Sequence, residues 1–163
     1  MNASTNLNDE KITEPGPVID PRKARVVREF QQTRAPGYCH FDRSGRFLFV
    51  GSEENGIQQW NFETGEKSTL NGHESWVRSF AFPPSGKAFV SSGYDGYLIW
   101  WSCESSPPRV ASRFQAHRGW IRSIALSPDG RLLASGGNDR IVRVWSMTDQ
   151  TLVGELTGHQ NDI

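Results

Sequence analysis

Three kinds of landmark recur in this 163-residue chain, and they share one period. Gly45, Gly86 and Gly130 are spaced 41 and 44 residues apart, and Trp60, Trp101 and Trp145 repeat the same two spacings. His73, His117 and His159 each follow an apolar position (Leu70, Phe114, Leu156) and are spaced 44 and 42 apart. A fixed period of about 42 residues requires stacked copies of one supersecondary unit, each burying its face against the next.

The unit is clearest from Ala116 to Ser146. An apolar run, Trp120 to Leu126, stops at Ser127-Pro128-Asp129-Gly130, where proline pre-sets φ and glycine admits the tight end of a turn. A second run, from Leu132, stops at Gly136-Gly137-Asn138-Asp139, and a third, β-branched run from Ile141 ends in Trp145. Laid over the other repeats, this pattern predicts strands near 37–41, 46–51, 56–60 and 66–70, then 76–82, 87–92, 96–101 and 109–114, then 120–126, 131–136, 140–145 and 151–156. The Ser105-Ser106-Pro107-Pro108 stretch lengthens one outer loop and accounts for the 44-residue spacing.

These residues resemble the WD repeat of the G-beta-like β-propellers, in the form found in bacterial repeat proteins. Gly72-His73 opens one repeat, Ala116-His117 the next and Gly158-His159 a third, and Asp95 and Asp139 stand six residues before Trp101 and Trp145. The aspartate usual after that tryptophan is missing: Asn61, Ser102 and Ser146 follow instead. The resemblance covers about 35–163. It implies an all-β fold, a β-propeller segment of about three four-stranded antiparallel blades in an incomplete ring. The blades fall at about 37–70, 76–114 and 120–156, with a fourth starting at 158, inside a repeat domain of 24–163. The polar segment 1–23, with Pro15, Pro17 and Pro21, is expected to be a flexible tail.

The resemblance also implies a buried hydrogen-bonded chain in each complete repeat: His73, Ser91, Asp95 and Trp101, then His117, Ser135, Asp139 and Trp145. The chemistry is consistent, since an indole only donates, a carboxylate only accepts, and hydroxyl and imidazole do both. A hydrolase triad uses the same three residue types, but here the set recurs in each repeat and no G-x-S-x-G elbow is present. The first repeat departs from the pattern, with Glu54 as its turn acid, Val50 at the serine position, its histidine position near Gln32, and Gln59 where the others have Trp100 and Val144. It is expected to be the loosest of the three. Arg25 to Phe30 is expected to be the outermost strand of the last blade, contributed by the N-terminus to close the ring, with its partner strand missing from this segment.

The function implied is a non-catalytic protein–protein interaction scaffold. The resemblance places docking on the face carrying the histidine loops and aspartate turns. There Trp76 with Arg78, Trp120 with Arg122, Tyr94 and Asn138 form a candidate arc for an acidic or aromatic-bearing peptide. Two alternatives stand beside this reading: the sensor part of a larger signalling enzyme, and a propeller enzyme of the lactonase or quinoprotein type. No metal or cofactor motif is present: His73-Glu74 lacks a second histidine at Val77, and Gly86-Lys87 follows no phosphate loop. With 18 basic against 18 acidic residues, no net field steers the chain to nucleic acid or a membrane surface. Two cysteines, Cys39 and Cys103, indicate no disulfide framework, and the expected address is cytoplasmic. The chain stops just after His159 opens a further repeat, so a fragment of a longer propeller is expected.

Overall fold

The computed structural model describes residues 20–31, 36–52 and 56–163. The chain divides into two units, Met1–Phe30 and Gln31–Ile163. Most of the expected tail, the Gln32 position and Glu54 lie outside the described residues.

In the first unit Asp20 caps a single 3-10 turn, Pro21–Lys23. Its carboxylate accepts from the Arg22 backbone N–H at 3.0 Å and from Arg22 Nε at 2.9 Å. Residues 24–31 take neither helix nor strand, and the last blade, to which Arg25–Phe30 was expected to add its outermost strand, is not among the described residues. A strand exists only through its ladder partner, and here Val26 and Val27 are adjacent and both exposed, so no single face gathers the apolar side chains.

In the second unit the described residues form three four-stranded antiparallel meanders. The first comprises β1 (Pro36–Phe41), β2 (Phe47–Ser52), β3 (Gly56–Asn61) and β4 (Lys67–Asn71). The second comprises β5 (Val77–Ala81), β6 (Ala88–Gly93), β7 (Tyr97–Ser102) and β8 (Arg109–Gln115). The third comprises β9 (Ile121–Leu126), β10 (Leu132–Gly137), β11 (Val142–Ser146) and β12 (Leu152–Leu156). Strand β11 starts two residues later than the spacing predicts, because Arg140 takes φ 65° and the turn runs on past it. Gly45, Gly86 and Gly130 sit at φ 72°, 65° and 70° in the matching turns, which is why glycine recurs there.

The sheets stack through their first two strands: β1 and β2 lie against β5, and β5 and β6 against β9. Period-two alternation sends neighbouring residues of one strand into different cores. Trp101 packs towards the first sheet with Phe49, Ile57, Leu70, Phe80 and Phe89, while Trp100 packs towards the third with Ile121, Ile124, Leu133 and Trp145. Each junction is a separate apolar layer, and full burial of each such side chain contributes about 1.5–3 kcal/mol. A polar tie crosses the second junction, where the Ile124 N–H donates to Ser79 Oγ at 3.4 Å. The three sheets are the blades of a propeller segment, and they do not close a ring.

Candidate docking face and the polar chains beneath it

Each polar chain is assembled from three parts of a sheet. Histidine comes from the loop before the first strand, serine from the second strand and tryptophan from the third, with aspartate in the turn between those two. In the second sheet Trp101 Nε1 donates to Ser91 Oγ at 2.8 Å, Ser91 Oγ lies 2.7 Å from His73 Nε2, and His73 Nδ1 lies 2.9 Å from Asp95 Oδ2. The third sheet repeats this with Trp145 to Ser135 at 2.9 Å, Ser135 to His117 at 2.7 Å and His117 to Asp139 at 2.8 Å. The donors fix the tautomer. Since indole N–H can only donate, the serine accepts it and gives its own hydrogen to imidazole Nε2. Nδ1–H is then left to donate to the carboxylate.

Asp95 also accepts the backbone N–H groups of Glu74 at 2.9 Å and Tyr97 at 3.2 Å, so it closes the histidine loop onto the turn. Burial opposes its charge, but the bonds from His73, Glu74 and Tyr97 prevail and hold its carboxyl below the usual 3.8. Asp139 carries a further cation that the sequence reading missed. Arg143 Nη1 donates to Asp139 Oδ2 at 2.6 Å, and Arg143 Nε donates to Glu155 at 2.7 Å. That nitrogen also lies 2.9 Å from His117 Nδ1, but both atoms carry hydrogens, so two donors converge on one carboxylate. Against the cost of burial, the hydrogen bonds from His117 and Arg143 bring the Asp139 carboxyl down to about 2. Burial pushes His117 below its ordinary 6.5, with the pull of Asp139 opposing it, so the imidazole is neutral at pH 7. In the first sheet Val50 offers no hydroxyl at the serine position.

Above these chains the structure brings most of the candidate arc together. Trp76 stacks on Tyr94 with ring centroids 5.7 Å apart at 14°, and Tyr94 stacks on Trp120 at 4.6 Å and 14°. The three rings form a ladder across the second and third sheets. Backbone bonds set its rungs: Tyr94 N–H donates to the Trp76 carbonyl at 2.9 Å, and Asn138 N–H to the Trp120 carbonyl at 3.0 Å. Trp76 and Trp120 are 41% and 44% exposed, so neither is consumed by the junctions between sheets. Asn138 is not a rung; its side chain lies against Gly119, and its buried Oδ1 has no hydrogen-bond partner among the described residues.

Arg78 and Arg122 flank the ladder from matching bulges. In β5 Val77 pairs with Gly93 and Ser79 with Ser92, leaving Arg78 unpaired; in β9 Ile121 and Ser123 pair with Gly137 and Gly136, leaving Arg122 unpaired. A bulge re-aims the side chain of its extra residue. Arg78 lies 5.7 Å from the Tyr94 ring centroid, and Arg122 5.7 Å from that of Trp120. Their settings differ. Arg122 is exposed and reaches Asp162 at 3.6 Å, whereas Arg78 is half-buried and its Nε has no hydrogen-bond partner among the described residues. In the first sheet the same bulge holds Gly37, beside the Arg78 guanidinium.

Two stretches, 65–102 and 108–146, match the family model described as WD domain, G-beta repeat. Over 49 residues the chain is 51% identical to the Lissencephaly-1 homolog of Caenorhabditis briggsae, covering 29% of this chain and 13% of that protein. It is 41% identical over 49 residues to the nuclear distribution protein PAC1 of Mycosarcoma maydis, covering 29% and 11%. The chain thus spans little more than a tenth of the curated relatives it matches. These relatives are a nematode and a fungal protein, and they give the bacterial form expected from the resemblance no support. The solved structure of U3-55K superposes with a TM-score of 0.74 at 23% identity, over 85% of this chain and 43% of that one, and shares the fold. Residues 65–102 and 108–146 therefore match WD40 repeats of the G-beta type, and the fold around them is a propeller segment of three four-stranded blades.

Proposed function

We propose that the chain is a non-catalytic protein-interaction scaffold whose docking surface is the Trp76–Tyr94–Trp120 ladder with Arg78 and Arg122. The ladder itself carries the reading: three rings stacked across two blades, with the outer two more than 40% exposed. Aromatic and arginine side chains dominate interface energetics because they bury large area at small entropic cost and give directional bonds. The two guanidiniums favour an acidic segment, and the ring faces favour one that also bears an aromatic residue.

A non-catalytic role agrees with the state of the Ser-His-Asp sets. Ser91 and Ser135 are 0% and 1% exposed, and each hydroxyl is already engaged by an indole N–H and an imidazole. A nucleophile needs a free lone pair and a path for substrate. A cytoplasmic address goes with this proposal and is supported by Cys39 and Cys103, which are free thiols. The test is a titration with an acidic peptide carrying one phenylalanine, followed by tryptophan fluorescence. Saturable binding that weakens as salt is raised is expected; an unchanged spectrum throughout the titration overturns the proposal.

A further inference from the structure

Gln59 occupies the strand position that holds Trp100 in the second sheet and Val144 in the third. Trp100 is 3% exposed and lies on Phe114 at 5.2 Å and 25°, filling the junction between the second and third sheets. Gln59 is 5% exposed and its side chain lines a cavity. This cavity, of about 460 Å³, lies at the junction between the first and second sheets. Phe47, Phe49, Phe82, Cys103 and Pro108 line it together with Gln59, and Asp42, Arg43, Ser44, Gly86, Ser105 and Ser106 complete the wall. The phenylalanines are braced against one another, with Phe49 and Phe82 centroids 5.1 Å apart and Phe82 stacked on Phe89 at 5.2 Å. A cavity in the range of about 300–1,000 Å³, walled by aromatic rings and carrying a few polar groups, has the form of a ligand site.

We propose that this cavity binds a neutral planar heteroaromatic group of the indole class, its faces on the phenylalanines and its ring N–H donated to the Gln59 amide oxygen. The site takes the side chain that the repeat pattern supplies in the next blade and this blade lacks. A free small molecule and a tryptophan presented by a partner segment share this chemistry. The inference rests on the junction between the first two sheets and is independent of the docking surface proposed above.

Cys103 reports on the site from inside, and exposed Cys39 serves as the control outside it. Indole is titrated into the full chain, and alkylation of both thiols by iodoacetamide is read by mass spectrometry. Protection of Cys103 with a half-effect at about millimolar indole is expected, as befits so small a ligand, with Cys39 unprotected. A blocked Gly-Trp-Gly peptide in a parallel arm distinguishes the sources: tighter protection than indole assigns the site to a partner's side chain, weaker protection to a small molecule. Gln59→Trp fills the cavity and removes protection, and Gln59→Leu keeps the apolar shape but weakens it about 10-fold by loss of the acceptor. In the unsubstituted chain, absence of protection at Cys103, or equal protection at Cys39, overturns the proposal whatever the variants do. Undiminished protection in folded Gln59→Trp also overturns it.

Discussion

Arg78 and Arg122 are each the unpaired residue of a bulge one step into the first strand of their sheets, 44 residues apart in the chain. Each guanidinium lies over an aromatic rung of the same ladder. The bulge is a backbone feature, so both side chains are aimed by the ladder register rather than by local preference.

The polar chains make stability fall on acidification in two windows. His117 is held below its ordinary 6.5, so the unfolded chain takes up that proton first. Its contribution is present above about pH 6.5 and is lost as the pH falls from there. Asp139 titrates at about 2 against 3.8 when unperturbed, and Asp95 is also lowered, so their contribution is present above about pH 3.8 and lost below it. Thermal melts from pH 8 to pH 3 are expected to show a fall beginning near pH 6.5 and steepening below pH 4. A flat profile down to pH 4 would contradict the neutral assignment of His117.

Ser91→Ala and Ser135→Ala each leave an indole N–H and an imidazole nitrogen buried without a partner. Each is expected to cost about 1–3 kcal/mol. Val50→Ala in the first sheet removes methyl groups and no polar partner, so its effect follows a cavity scale. Urea melts of the three variants test this; serine variants as stable as the parent would remove the energetic role of the chains.

Gly137 has no room for a side chain. A Cβ there would lie 2.3 Å from the Trp120 carbonyl oxygen, the group that anchors Asn138 N–H. Gly137→Ala is therefore expected to cost about 1–3 kcal/mol by forcing the first two strands of the third sheet apart. It should also change the Trp120 fluorescence, which a loss of stability alone in the folded state would not do.

Much of the fold could be read from the chain because glycine and tryptophan mark the same two places in all three copies, and histidine opens the second and third. The residues that join in the polar chains were legible for the same reason: four residue types at fixed offsets in two copies leave little freedom. Arg143 was not, because its position holds Gln58 and Ile99 in the other sheets, and its partner Glu155 faces it only across the β11–β12 ladder. The bulges were hidden too. Each extra residue shifts the alternation, so that Val77 and Phe80 share one core and Ile121 and Ile124 another, and this odd spacing is explained only when two strands are paired. The cavity had one sequence signal, a glutamine among positions that hold tryptophan and valine.

The most direct test of the docking face is the double variant Arg78→Ala with Arg122→Ala, compared with the parent for affinity to the acidic, phenylalanine-bearing peptide and for melting temperature. Both arginines sit on bulges outside the ladder hydrogen bonds, so the account predicts at least a roughly 10-fold loss of affinity with the melting temperature unchanged. A double variant that unfolds at lower temperature, or that binds the peptide as the parent does, would place these residues in the scaffold and contradict the account.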